Sequence, residues 1–181
     1  YYTKEYHYER FERLAGEVAR YTERCVISFL DLYKKTERNT RPLELIPLTE
    51  EDICEMANRL SSIVRGKNIT IETCSEAIDL TEYGIKKGKC IDDRLISRIM
   101  NCAIDVEKDN NQRDICGCVK SIDIGEYNTC QHNCLYCYAN FNYKQVKERS
   151  QKHLVNSPIL IANLVGDEKI TEREMRSIRL F

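Results

Sequence analysis

CVISFLD, residues 25–31, and ITIETC, residues 69–74, are short apolar runs carrying β-branched Val26, Ile27, Ile69 and Ile71, and what lies between them decides the fold. Each reads as a buried strand of the parallel kind, in which both faces are covered and the alternation of polar and apolar residues is lost. Between them Thr49 is expected to cap a helix, with Glu50, Glu51 and Asp52 set against the positive end of its dipole. Ile53, Met56, Leu60, Ile63 and Val64 then recur at helical spacing to about Gly66. Strand, helix, strand in that order is a βαβ crossover and implies a parallel sheet.

Working outward, Tyr8, Phe11, Leu14, Ala15, Val18, Ala19 and Tyr21 recur every three or four residues and predict a helix with one buried face over 6–22. The stretch KKTERNTRPLELIP (34–47) is charged and irregular. A weaker helix is expected near 80–86. Leu95, Ile96, Ile99 and Met100 share a face of a short helix over 92–102, and a last helix is expected over 142–152, before the apolar patch SPILIANLV (157–165). Residues 105–140 sustain neither period, and so long a loop in a compact domain needs something besides a hydrophobic core to hold it. There is no internal repeat and no low-complexity segment.

The composition weighs against several functions. In 181 residues, 42% hydrophobic and 31% charged, 28 Lys plus Arg face 29 Asp plus Glu, so the net charge of -1 offers no field for nucleic acid or an anionic membrane. The longest uncharged stretch, 154–166, contains Asn156, Ser157, Pro158 and Asn163 and falls well short of the roughly 20 apolar residues of a spanning helix. The opening YYTKEYHYERF has no initiator Met and no apolar signal region, so the sequence reads as a piece of a longer chain. Ten Cys could suggest a secreted disulfide scaffold, but long amphipathic helices with only 7 Gly and 3 Pro point to a reducing cytoplasm instead.

Five of the ten, Cys116, Cys118, Cys130, Cys134 and Cys137, crowd together as metal ligands do. In CQHNCLYC, Cys130, Cys134 and Cys137 stand at C-x3-C-x2-C spacing, which lets three thiolates take three corners of an iron–sulfur cube and leave the fourth iron open. A structural zinc site and coincidental loop cysteines are the alternatives. For Cys25, Cys54 and Cys102, each in or beside an apolar element, packing as a small hydrophobe is the better reading.

The cysteine loop, with aromatic Tyr136 just before the third Cys, resembles the cluster-binding signature of the radical S-adenosylmethionine superfamily. That resemblance implies a cluster whose open iron chelates S-adenosylmethionine, with Tyr136 near the adenine and a ferredoxin or flavodoxin as electron donor. The usual order is not met: the superfamily carries its loop near the first barrel strand, followed by a glycine-rich strand, whereas one Gly follows Cys137 here. The motifs ETCSEAIDL (72–80), GKCIDDRLI (88–96), KDNNQRDICGC (108–118), SIDIGEYNTCQHNCLYCYAN (121–140) and NSPIL (156–160) together resemble the C-terminal part of the domain-of-unknown-function family 1848. The resemblance implies an α/β fold: a partial parallel βα barrel-like fragment over 1–104 and a long C-terminal cysteine-rich metal-binding loop with its tail over 105–181, packed on the same domain. It also carries over seven Cys: Cys74, Cys90, Cys116, Cys118, Cys130, Cys134 and Cys137. Three would hold an open cluster, leaving Cys74, Cys90, Cys116 and Cys118 for a second cluster or a zinc ion; alternatively Cys116 or Cys118 closes a single cluster as its fourth ligand. Asn133 stands where the family usually has Gly, and Asn tolerates the left-handed backbone well.

Other residues have weaker claims. His132 is either a hydrogen-bond donor to cluster sulfur or a plain loop residue. Asp123, Gly125, Asn128 and Thr129 are expected to order the turn that presents the cysteines. Glu72, Glu76, Ser28 and Asp31 lie at or past strand ends, where they meet ligands or merely cap helices, and Lys144, Lys147, Arg149 and Lys152 read as a solvated face. The leading expectation is an iron–sulfur protein of unknown substrate resembling radical S-adenosylmethionine enzymes. Its rivals are a non-catalytic iron–sulfur electron-transfer or structural module and a zinc-stabilised interaction or nucleic-acid-binding module.

Overall fold

The computed structural model describes residues 2–32 and 34–172. Its elements are α1 (Lys4–Val18), β1 (Arg24–Ile27), α2 (Lys34–Thr40), α3 (Glu50–Val64), β2 (Thr70–Thr73), β3 (Lys86–Lys87), α4 (Asp93–Met100) and α5 (Tyr143–Lys152), with 3-10 turns at Arg41–Leu43 and Thr81–Tyr83. They fall into two compact units, one of residues 2–30 and Pro47–Ser121, the other of Asp31–Ile46 and 122–172.

In the first unit the three strands form a parallel sheet in the order β1-β2-β3, with Arg24 opposite Thr70 and Glu72 opposite Lys86. α3 is the crossover between β1 and β2. It starts on a capping box: Thr49 Oγ1 accepts the Asp52 N–H and the Asp52 carboxylate accepts the Thr49 N–H, so two end donors are satisfied reciprocally. Its Ala57, Leu60, Ile63 and Val64 pack with Ala15 of α1, Ile69 and Ile71 around β2, and Leu80 and Ile85 into one buried cluster. A side chain such as Leu60, 7% exposed, stabilises such a core by about 2–5 kcal/mol relative to Ala.

Several boundaries differ from the sequence-based expectation. α1 ends at Val18, short of residue 22, and the Tyr21 N–H turns back to Val18 O, which lets the chain reach the sheet at Arg24. β1 is half-buried throughout rather than buried, because it is an edge of the sheet. The expected helix at 80–86 is instead a 3-10 turn leading into β3, as Gly84 at φ 76 ends the turn and Lys86 and Lys87 pair with β2. The charged stretch 34–47 holds α2, whose Thr36 and Thr40 are buried with Thr40 Oγ1 donating to Thr36 O at 2.7 Å. A closed barrel would require more strands than the three of this sheet. No helix among the described residues is long and apolar enough to cross a membrane.

Candidate metal centre

The three strands are parallel, so their C-terminal ends share one edge of the sheet, where ligands of α/β folds gather. Cys74 follows β2 directly and is held by its N–H to Ile27 O at 3.0 Å. Cys90 lies just beyond β3, on a loop begun by the Gly88 N–H bonded to Thr73 O at 2.8 Å. Cys116 and Cys118 belong to a segment folded back on itself by the antiparallel bridge between Lys108 and Val119 and tied to the Cys90 loop by the Val119 N–H on Ile91 O.

Together these loops bring the sulfurs of Cys74, Cys90 and Cys118 within 4.8 Å of one another, and such a trio of thiols could bind a metal ion. Cys90 Sγ is 3.0 Å from Cys74 Sγ, and all ten cysteines are free thiols. Cys116 adjoins the trio through hydrogen bonds with the Cys118 and Ser75 side chains. Ser75 supplies that contact from a left-handed backbone at φ 56, unusual for a non-glycine residue and a mark of a constrained site.

The electrostatics suit a cation. The shared hydrogen bond with Cys74, then burial and the neighbouring thiols, push the Cys90 thiol up to about 12. Burial raises Cys118 as well. At Cys116 burial is outweighed by the Cys118 N–H and the Ser75 hydroxyl, which lower its thiol below the ordinary value. Crowded thiols resist joint ionisation, and a bound metal ion reverses that preference by deprotonating the thiols it ligates.

A cluster of charges, of which sequence reading singled out only Glu72, braces this site. Arg24 Nη1 is 2.6 Å from the buried Asp92 carboxylate and 3.5 Å from Glu72, while Nη2 donates to Lys89 O at 2.9 Å. Asp92 also caps α4 through the Arg94 N–H. Burial pushes its carboxyl up, but the bonds from Arg24 and Arg94 prevail and hold it below the usual range. Gly88 is required where it stands, for an added Cβ would lie 2.8 Å from Glu72 Cβ. Gly88→Ala is therefore expected to shift the Cys90 loop and destabilise the fold by about 1–3 kcal/mol. Urea denaturation checks this, and a midpoint equal to the parent's would refute it.

Cys130, Cys134 and Cys137 belong to the second unit. They sit on a loop closed by Asn128, whose own N–H bonds Ala139 O at 3.0 Å. The buried Asn128 side chain accepts from the N–H groups of Phe141 at 2.8 Å and Asn142 at 3.0 Å and donates to Gln145 at 3.2 Å. The Asp123 carboxylate takes the Gly125 N–H at 2.7 Å, and Thr129 donates to Glu126 O at 2.8 Å. Asn133 is left-handed at φ 52, the conformation for which Gly or Asn is suited. Cys130 and Cys134 are exposed and Cys137 half-buried, with the Asn140 N–H on Cys137 Sγ at 3.3 Å. The Tyr136 hydroxyl donates to Asp31 O, and His132 is exposed.

Among the remaining candidates, Glu76 accepts the Phe29 N–H at 2.8 Å, a structural role. Arg149 is paired with Glu126 and Tyr127 O, and Lys147 lies over the Tyr143 ring. Cys25 and Cys54 pack against the core cluster, and the Cys102 N–H bonds Ser97 O just past α4.

A family model described as "Domain of unknown function (DUF1848)" matches residues 1–139, a span that contains all seven cysteines singled out by motif. No match was found among curated proteins or among solved structures. The matched span is most of the 181 residues, and the chain belongs to this domain-of-unknown-function family.

Proposed function

We propose that the protein is an iron–sulfur protein in which Cys130, Cys134 and Cys137 hold a four-iron cluster with one iron left open, acting on an unidentified substrate in the manner of the radical S-adenosylmethionine enzymes it resembles. The observation that carries this reading is the loop closed by Asn128, which carries three thiols on one short stretch of chain, those of Cys130 and Cys134 exposed and that of Cys137 half-buried. Cys130 and Cys134 are too exposed to be packed as small hydrophobes, and soft thiolates at this spacing suit iron–sulfur ligation. When bound, such a cluster would supply one electron and a coordination position for the amino and carboxylate groups of S-adenosylmethionine.

The chain's own residues have defined tasks in this reading. Asn128 holds the loop ends together, and the Asn140 N–H offsets negative charge on the Cys137 sulfur. Tyr136, anchored through its hydroxyl on Asp31 O, is the residue proposed to face the adenine. A ferredoxin or flavodoxin is the proposed electron donor, and a reducing cytoplasm the proposed setting.

The test is anaerobic reconstitution with iron and sulfide. Brown protein with about four irons on this loop is expected, and S-adenosylmethionine should alter the electron paramagnetic resonance signal of the reduced protein and be cleaved to 5′-deoxyadenosine. Zinc without iron after reconstitution would overturn the iron–sulfur reading. A cluster whose signal ignores S-adenosylmethionine, with no 5′-deoxyadenosine formed, would overturn the open-iron part and leave an electron-transfer module.

A further inference from the structure

We infer that Cys74, Cys90, Cys116 and Cys118 form a second centre independent of the cysteine loop, a closed site for a single zinc-class ion that locks the C-terminal edge of the sheet. Sulfur spacing is the first reason. Two thiolates on one tetrahedral zinc, each about 2.3 Å from the ion, stand about 3.8 Å apart, and the sulfurs of Cys74, Cys90 and Cys118 all lie within 4.8 Å of one another. A four-iron cube places each thiolate on a different iron and so spreads them wider.

The second reason is the set of amide hydrogens aimed at sulfur. The Ile91 N–H points at Cys118 Sγ at 3.4 Å, joined by the Cys90 N–H, and the Cys118 N–H bonds Cys116. Donors of this kind disperse the charge of metal-bound thiolates and fix their orientation.

The third reason concerns what holds the region. The 88–92 loop and the 107–120 segment contribute Cys116, Cys118 and Val119 as their buried apolar residues, too few to order two loops by burial alone. Cys116 and Cys118 are 5% exposed and approach from the protein side, while Cys74 is half-buried and Cys90 exposed, so the four thiolates themselves would fill the coordination sphere, as in a structural ion with four protein ligands.

The experiment uses the full chain with Cys130, Cys134 and Cys137 all changed to Ser, so its outcome is separate from that of the cluster on the loop. Cobalt(II), whose tetrahedral thiolate complexes are coloured, is titrated into the metal-free protein. About one equivalent should bind with intense sulfur-to-cobalt absorption and be displaced by zinc. Adding Cys116→Ser should lower that absorption by about a quarter while the ion still binds, a mild change that keeps three ligands and the fold. Absence of cobalt binding, an absorption indifferent to Cys116→Ser, or assembly of an iron–sulfur cluster on these four cysteines would each overturn the inference.

Discussion

Asn128→Ala is expected to unpin the cysteine loop and abolish iron incorporation there while leaving the parallel sheet folded. The Asn128 side chain is 2% exposed, and its oxygen accepts two backbone N–H groups, those of Phe141 and Asn142. Because a backbone N–H can only donate, the orientation of the amide is settled, and the nitrogen is left to donate to Gln145. Alanine would strand both N–H groups, at about 1–3 kcal/mol each. It would also have to hold φ 57, a left-handed conformation that Asn adopts far more readily. Asn128→Asp keeps the accepting oxygen and should retain most of the iron. Iron content after anaerobic reconstitution and limited proteolysis of the loop are the readouts. An Asn128→Ala protein with the parent's iron content and protease resistance would show that the loop is held by something else.

The residues behind that prediction illustrate what a sequence discloses. The spacing of Cys130, Cys134 and Cys137 is local, and so are the turn residues Asp123, Gly125 and Thr129, whose bonds span two or three positions. The capping box at Thr49 and Asp52 is legible for the same reason. β3 is not legible, because Lys86 and Lys87 become a strand only by pairing with Glu72 and Thr73, far away in sequence. α2 is hidden as well: KKTERNT has no apolar stripe, and its inward face consists of two threonines.

The candidate metal centre divides along the same line. Cys74 is identifiable as a strand-end residue once the βαβ unit is read, since the edge it occupies follows from parallel order. Its meeting with Cys90 and Cys118 depends on β3, on the Lys108 and Val119 bridge and on Gly88, and none of these carries a periodic signal. Arg24 looks like the last charged residue before an apolar strand. Its pairing with Asp92 crosses 68 positions and is visible only in the folded chain.

That ion pair gives the largest expected loss of stability. Arg24→Met should destabilise the first unit by about 3–5 kcal/mol, because it leaves the Asp92 and Glu72 carboxylates in a poorly solvated site without their shared cation. Asp92 is 5% exposed, and the buried Glu72 Oε2 has no hydrogen-bond partner, so Arg24 is the charge that offsets it. Asp92→Asn should cost less, since the amide oxygen still caps α4 and Arg24 keeps Glu72. The sign of the combination is the decisive point. If Arg24 matters as a neutralising charge, Arg24→Met with Asp92→Asn has one fewer stranded carboxylate and should be more stable than Arg24→Met alone. If Arg24 matters only as packing volume, the double variant should be the weaker protein. Arg24→Lys should be intermediate, as a point charge cannot reproduce the fork that bonds both Asp92 and Lys89 O. Since Lys89 immediately precedes Cys90, the same series should lower cobalt affinity at the proposed four-cysteine centre in the order of its stability losses. Urea midpoints and cobalt titration measured on the same samples provide the comparison, and an affinity unchanged across the series would uncouple the ion cluster from the metal centre.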